Sequence, residues 1–238
     1  MKVYRVGIIG LGCIACELPD NHFHSYSICP QTEVYGICDN VEDKLISVYN
    51  RASMFTDTGK MGEGFFPTDL LWTDFLQMVK ERELDIVSVC TPPDTHREIV
   101  CDIAPYVKAI YCEKPIALSL EDATDMIDTC YYYNTILQIN HQRLFVNPVF
   151  RFSRGIINTG THMFSLINHL FKDDIKVDIM EVDTDEPVFE LDCTHNKEPM
   201  ILDGVKHLIK CIENGEESIS SGVKAKEALR LALEYEKY

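Results

Sequence analysis

Basic residues are scarce in this chain: 22 lysines and arginines stand against 38 aspartates and glutamates, a formal net charge of −16. A surface of that sign repels nucleic acid and anionic membrane, so neither is expected as a partner. Long apolar runs are missing too. No stretch of about 18 apolar residues occurs, and the N-terminus has no basic segment leading into an apolar one, which argues for a cytoplasmic rather than a membrane or secreted protein. Internal repeats, low-complexity tracts and the GxSxG pattern of a hydrolase nucleophile are also absent. Among the ten cysteines, Cys13 and Cys16 have CxxC spacing, but no second such pair follows at zinc-site spacing. No metal is expected, and the cysteines read as reduced, structural thiols.

What the chain does have is a core's worth of apolar residues, 46% of 238, arranged as short runs closed by turns. Val3 to Ile9 reads as a buried parallel strand that stops at Gly10-Leu11-Gly12-Cys13-Ile14-Ala15. In such a turn Gly10 permits the tight bend, Gly12 lets the backbone approach a pyrophosphate, and Ala15 lets the next helix pack on the strand. That helix is expected to open at the phosphates, with Cys13 and Ile14 beside them. The second strand, Glu33 to Cys38, ends in Asp39, whose carboxylate can accept the hydroxyls of an adenine ribose and repel the extra phosphate of NADP. NAD is therefore favoured over NADP.

Leu84 to Cys90 and Lys108 to Cys112 are two further strands, followed by Thr91-Pro92-Pro93 and by Glu113-Lys114-Pro115. In a doubly wound sheet consecutive strands of this kind bring Thr91, Pro92, Glu113 and Lys114 to the same carboxyl edge as the glycine turn. His96 opens a helix at that edge and reads as a residue holding the loop of the cofactor site rather than a base. Helices are expected over Asp74 to Glu83, Glu121 to about Tyr132, the apolar series Ile201 to Ile212, and from Ser220-Ser221 to the C-terminus, with a strand at Thr135 to Ile139. The glycines of Thr56 to Phe66 mark a loop.

Taken in order, Val6 to Gly12, Cys90-Thr91-Pro92-Pro93-Asp94-Thr95-His96, Cys112-Glu113-Lys114-Pro115-Ile116-Ala117, Asn140 to Pro148 and Gly160-Thr161-His162 resemble the Gfo/Idh/MocA family of sugar and cyclitol oxidoreductases. The resemblance implies that Lys114 hydrogen-bonds the reacting hydroxyl beside the nicotinamide and that His162 is the general acid/base. It implies a sugar substrate, including a nucleotide-linked one. The chemistry needs both residues, since hydride removal from an alcohol requires loss of the hydroxyl proton and stabilisation of the developing alkoxide.

The chain also departs from the family. Asn158 and Ser165 stand where members commonly have aspartates around the histidine, and with His162 and His169 they would share one face of a helix. The interval from Arg143 to Gly160 is short, and after Phe171 a single stretch, Lys176 to Cys193, reads as strand, interrupted by Glu186-Pro187. The expected architecture is thus α/β: a Rossmann-type doubly wound parallel sheet over residues 1–120, then a small, reduced α+β substrate domain over 121–238. So small a second domain puts the homo-oligomer typical of the family in doubt. It also keeps open an alternative, a non-catalytic or sensory nucleotide- or sugar-binding protein of the same descent.

Overall fold

The computed structural model describes residues 2–18, 20–54, 68–145 and 200–235. Six parallel strands form one sheet: β1 (Tyr4–Ile9), β2 (Thr32–Cys38), β3 (Leu71–Trp72), β4 (Ile86–Val89), β5 (Ala109–Cys112) and β6 (Ile136–Ile139). Their spatial order is β3-β2-β1-β4-β5-β6, which reverses direction between β1 and β4. That switch point opens a crevice at the carboxyl ends of the strands. The expected Rossmann-type sheet is what forms.

The helices are α1 (His22–Ile28), α2 (Glu42–Met54), α3 (Phe75–Arg82), α4 (His96–Ile103), α5 (Leu120–Tyr133), α6 (Met200–Asn214) and α7 (Gly222–Tyr235). Local chemistry sets their ends. Asn21, Asp74 and Ser119 accept the His24, Gln77 and Asp122 N–H groups that open α1, α3 and α5. Asn134 and Gly215 take the left-handed conformation that stops α5 and α6. On α6 the spacing of Ile201, Leu202, Val205, Leu208 and Ile209 buries one face. Burial of that kind contributes roughly 1.5–3 kcal/mol per side chain before chain entropy is counted.

The sheet continues beyond residue 120. Strand β6 extends the sheet by pairing with β5 in parallel register, Cys112 beside Ile139. The returning chain then closes over β6: Ser221 bridges Gln138 in antiparallel sense, and Ile139 N–H donates to the Ser220 carbonyl at 2.8 Å. Ala225 and Leu229 of α7 join the core on one face of the sheet, while α6 joins the core on the other. Residues 121–145 and 200–235 thus belong to the nucleotide unit. The physical reason is that β6 would otherwise be an open edge with exposed backbone groups. Among the described residues no helix is long and apolar enough to cross a membrane.

Candidate active site

The glycine turn follows β1 directly. Gly10 has φ +86°, and a Cβ there would lie 2.8 Å from the Thr91 amide nitrogen and 2.9 Å from the Cys90 carbonyl carbon. Only glycine lets the ends of β1 and β4 come this close. Gly12 is different: a Cβ built on it meets nothing within 4 Å, so its backbone faces open space. Cys13 is exposed and donates its thiol to Glu17 at 3.1 Å, and Ile14 packs partly against the core.

The chain past Gly12 corrects one expectation. Instead of a long helix opening at the glycines there is a five-residue π turn, Cys13–Glu17, and α1 starts afresh at His22. The segment between them is anchored elsewhere, with the Asp20 carboxylate accepting the Met200 and Ile201 N–H groups that open α6.

Asp39 closes the turn from the side. Its Oδ2 accepts the Leu11 N–H at 2.8 Å and Lys44 Nζ at 3.2 Å, and its Oδ1 accepts the Val41 N–H at 2.9 Å. The side chain is 3% exposed, so most of its acceptor capacity is already spent inside the protein. A carboxylate has about four acceptor sites, which leaves it room for a ribose hydroxyl.

The other half of the crevice is built by the ends of β4 and β5. Val89 pairs with Cys112, which puts Thr91 and Lys114 at one edge of the sheet, with Pro92 exposed beside them. Two straps hold this edge. His96 is fully buried, its Nε2 2.9 Å from the Thr91 carbonyl and its Nδ1 3.1 and 3.2 Å from the carbonyls of Pro115 and Ile116. It ties the Thr91 and Pro115 loops together through their carbonyls. Glu113 is the second strap. Its carboxylate turns inward, 3.0 Å from His22 Nε2, and accepts from Asn140 Nδ2 at 2.6 Å and from the Lys114 N–H at 3.2 Å.

Electrostatics follow from this burial. Desolvation alone would raise the Glu113 carboxyl, yet the His22 bond and charge, the Asn140 bond and the Lys114 charge together hold it below the usual carboxylate range. Burial, reinforced by the Glu113 charge, pushes the Cys90 and Cys112 thiols well up, which makes them inert. His141, at the end of β6, is pushed down to about 3 by burial, with Glu113 opposing and Lys114 adding. Among the described residues no cysteine forms a disulfide, and no group of three His, Cys, Asp or Glu side chains could hold a metal.

His162 and Asn158, like Gly160, Ser165 and His169, lie outside the described residues. Of the expected site residues, Gly10, Gly12, Cys13, Asp39, Thr91, Pro92 and Lys114 follow the carboxyl ends of β1, β2, β4 and β5 at the switch-point side of the sheet. Sequence reasoning missed His22, Tyr26, Ser88, Tyr111 and Asn140, all of them buried. The available signal was polar residues inside apolar strands, Ser88 in Ile86–Val89 and Tyr111 in Ala109–Cys112.

A parallel sheet with a glycine turn at its switch point defines a dinucleotide-binding Rossmann protein, and the open space over Gly12 fits a pyrophosphate. Residues 4–141 match a family model described as an oxidoreductase family with an NAD-binding Rossmann fold. The chain belongs to this Gfo/Idh/MocA family. It is 37% identical over 160 residues to the rhizopine catabolism protein MocA of Rhizobium meliloti, covering 67% of this chain and 44% of that protein. With the myo-inositol 2-dehydrogenase of Thermotoga maritima it shares 27% identity over 157 residues, 66% of this chain and 41% of the enzyme. The chain thus spans less than half the length of the curated relatives it matches.

Among solved structures, an Agrobacterium radiobacter oxidoreductase in complex with NAD+, L-tartaric acid and magnesium aligns with a TM-score of 0.71 at 15% identity, over 98% of this chain and 95% of that one. The WlbA dehydrogenase of Bordetella pertussis, in complex with NADH and UDP-GlcNAcA, aligns with a TM-score of 0.63 at 15% identity, over 97% and 94%. Likenesses at this identity concern the fold.

Proposed function

We propose that the protein transfers a hydride between NAD and a secondary hydroxyl or ketone of a sugar, a nucleotide-linked sugar included. The observation that carries this reading is the meeting of the Gly10–Gly12 turn, Thr91 and Lys114 at one edge of the sheet. Held there, NAD would supply the hydride acceptor. Lys114 would donate a hydrogen bond to the reacting oxygen and stabilise the alkoxide as it develops. His162 would take the hydroxyl proton, and Asn158 would hold its ring in one tautomer. Asp39 would receive the adenine ribose and disfavour NADP. A relative named for myo-inositol and a neighbour crystallised with a nucleotide sugar support the substrate class.

A second reading, binding without turnover, is favoured by Asn158 and Ser165, which replace the family's usual aspartates. One experiment separates the two. Purified protein is incubated with NAD or NADH and a panel of sugars, cyclitols and nucleotide sugars, and the nicotinamide absorbance band is followed. Turnover with any member supports the oxidoreductase. NADH binding with no turnover across the panel supports the binding protein.

A further inference from the structure

Behind the Lys114 loop runs a line of six buried polar side chains drawn from α1, β4, β5 and the end of β6. Tyr26, Ser88, His22 and Tyr111 are fully buried, Asn140 is 1% exposed and Glu113 is 7% exposed. Tyr26 Oη lies 2.8 Å from Ser88 Oγ, which lies 2.9 Å from His22 Nδ1. His22 Nε2 lies 3.0 Å from Glu113 Oε1, Asn140 Nδ2 donates to the same oxygen at 2.6 Å, and the Tyr111 hydroxyl donates to Asn140 Oδ1 at 2.7 Å.

A carboxylate can only accept, so the hydrogen between His22 and Glu113 belongs to Nε2. Ser88 Oγ bridges His22 Nδ1 and the Tyr26 hydroxyl. The two branches, from Tyr26 and from Tyr111, both end on Glu113, and Asn140 Nδ2 also lies 3.4 Å from His22 Nε2. Donors of this kind let a carboxylate stay ionised inside the protein. The remaining oxygen, Oε2, receives the Lys114 N–H, so the buried chain terminates on the backbone of the very residue proposed to touch substrate.

We propose that His22 and Asn140 are positioning residues for Lys114, acting through the Glu113 carboxylate. The inference rests on the hydride-transfer reading for its consequence in turnover, but its geometry stands apart from it. Without the His22 donor the carboxylate is left under-satisfied in the interior and must take a proton or move, which displaces the loop it holds. Misplacement of a reacting group by about 1 Å can cost about a hundredfold in rate.

The test uses the full chain and three variants. His22→Leu removes the donor, His22→Gln restores one, and Ile103→Val is a control that trims the core away from the loop. Turnover is measured with whichever sugar the panel identifies. His22→Leu should lower kcat by about tenfold or more with KM and NADH affinity within about twofold, His22→Gln should recover most of it, and Ile103→Val should leave it unchanged.

The second readout needs no turnover: lysines are reductively methylated with 13C-formaldehyde, and the Lys114 signal, assigned by its loss in Lys114→Arg, is titrated by NMR. Among the described residues the titratable groups that interact with its charge include Glu113 and His141. In His22→Leu its midpoint should fall by about half a unit or more, because the neighbouring negative charge is lost. An unmoved midpoint overturns the inference, whatever the turnover. A moved midpoint in a protein that turns over no sugar supports the positioning and overturns the hydride-transfer reading instead. If His22→Leu fails to fold, Ser88→Ala carries the same test, with a fall in kcat of about threefold expected.

Discussion

The two halves of the crevice are built on different principles. At the nucleotide half, the glycine turn and Asp39 work over short range, with backbone groups and one carboxylate, and Gly12 faces open space. At the chemical half, the Lys114 loop is clamped by side chains from α1, β4, α4 and the end of β6, several of them far away in sequence. The difference teaches why each half is built as it is. Phosphates are large, charged and recognised by almost any array of N–H groups, so local chain geometry suffices. A proton-donating or charge-stabilising group must sit within a fraction of an ångström of its target, and a loop holds that only when its side chains are locked from behind.

The sharpest way to break this comparison is Lys114→Ala. With the chemical half separate from the nucleotide half, kcat should fall about a hundredfold or more, about 3 kcal/mol, while NAD affinity in calorimetry stays nearly constant. Weak NAD binding with unchanged kcat would move Lys114 to the nucleotide half.

The two glycines offer the next contrast. Gly10→Ala forces a side chain into a left-handed position against the Thr91 and Cys90 backbone and should cost about 2–3 kcal/mol in thermal or urea unfolding. Gly12→Ala meets no atom within 4 Å among the described residues, so the melting temperature should hold while NADH affinity drops about tenfold. Equal stability losses would show that Gly12 serves the fold and not the ligand.

Acid separates the halves in another way. His141 is held down to about 3, below the ordinary value of about 6.5, so the unfolded chain takes up a proton that the folded chain refuses. Its contribution to stability is therefore present above about pH 6.5 and is lost as the pH falls toward 3. Glu113, held below its ordinary value of about 4.5, adds a loss only below that. Between pH 6.5 and 5 the unfolding free energy should fall by about 2 kcal/mol, and His141→Gln should flatten that limb in a thermal denaturation series. A limb that survives the substitution would place the titrating group elsewhere.

The smallest expected effect is cofactor choice. NAD should bind at least about tenfold more tightly than NADP, a gap of about 1.4 kcal/mol. The half-exposed Lys44 ammonium 3.2 Å from Asp39 offsets part of the carboxylate's repulsion, so Lys44→Gln should widen the gap in parallel calorimetric titrations. A gap unaffected by either Lys44→Gln or Asp39→Ser would remove that end of β2 from the adenine ribose.

Much of the nucleotide half could be read from residue order. The run Val6 to Ile9 with Gly10 and Gly12, the strand ending in Asp39, and the strands ending at Thr91 and Glu113 all report local rules of burial, turn conformation and period. Even so, the helix expected at Gly12 gives way to a π turn, because Asp20 and Asn21 satisfy the ends of α6 and α1 and restart the chain at His22. Motif position put Glu113 and His96 at the carboxyl edge of the sheet, and only the structure shows which partners each binds there.

By itself, then, the amino-acid order determined the strands, the glycine turn and the presence of Lys114 at a sheet edge, since each depends on neighbours within a few residues. Tertiary structure alone decided that the chain from 200 to 235 folds back over β6, that β6 joins the sheet beside β5, and that His22 meets Glu113. Those contacts join residues far apart in sequence, and what selects them is the need to cover an open strand edge and to satisfy a buried charge, which no local pattern records.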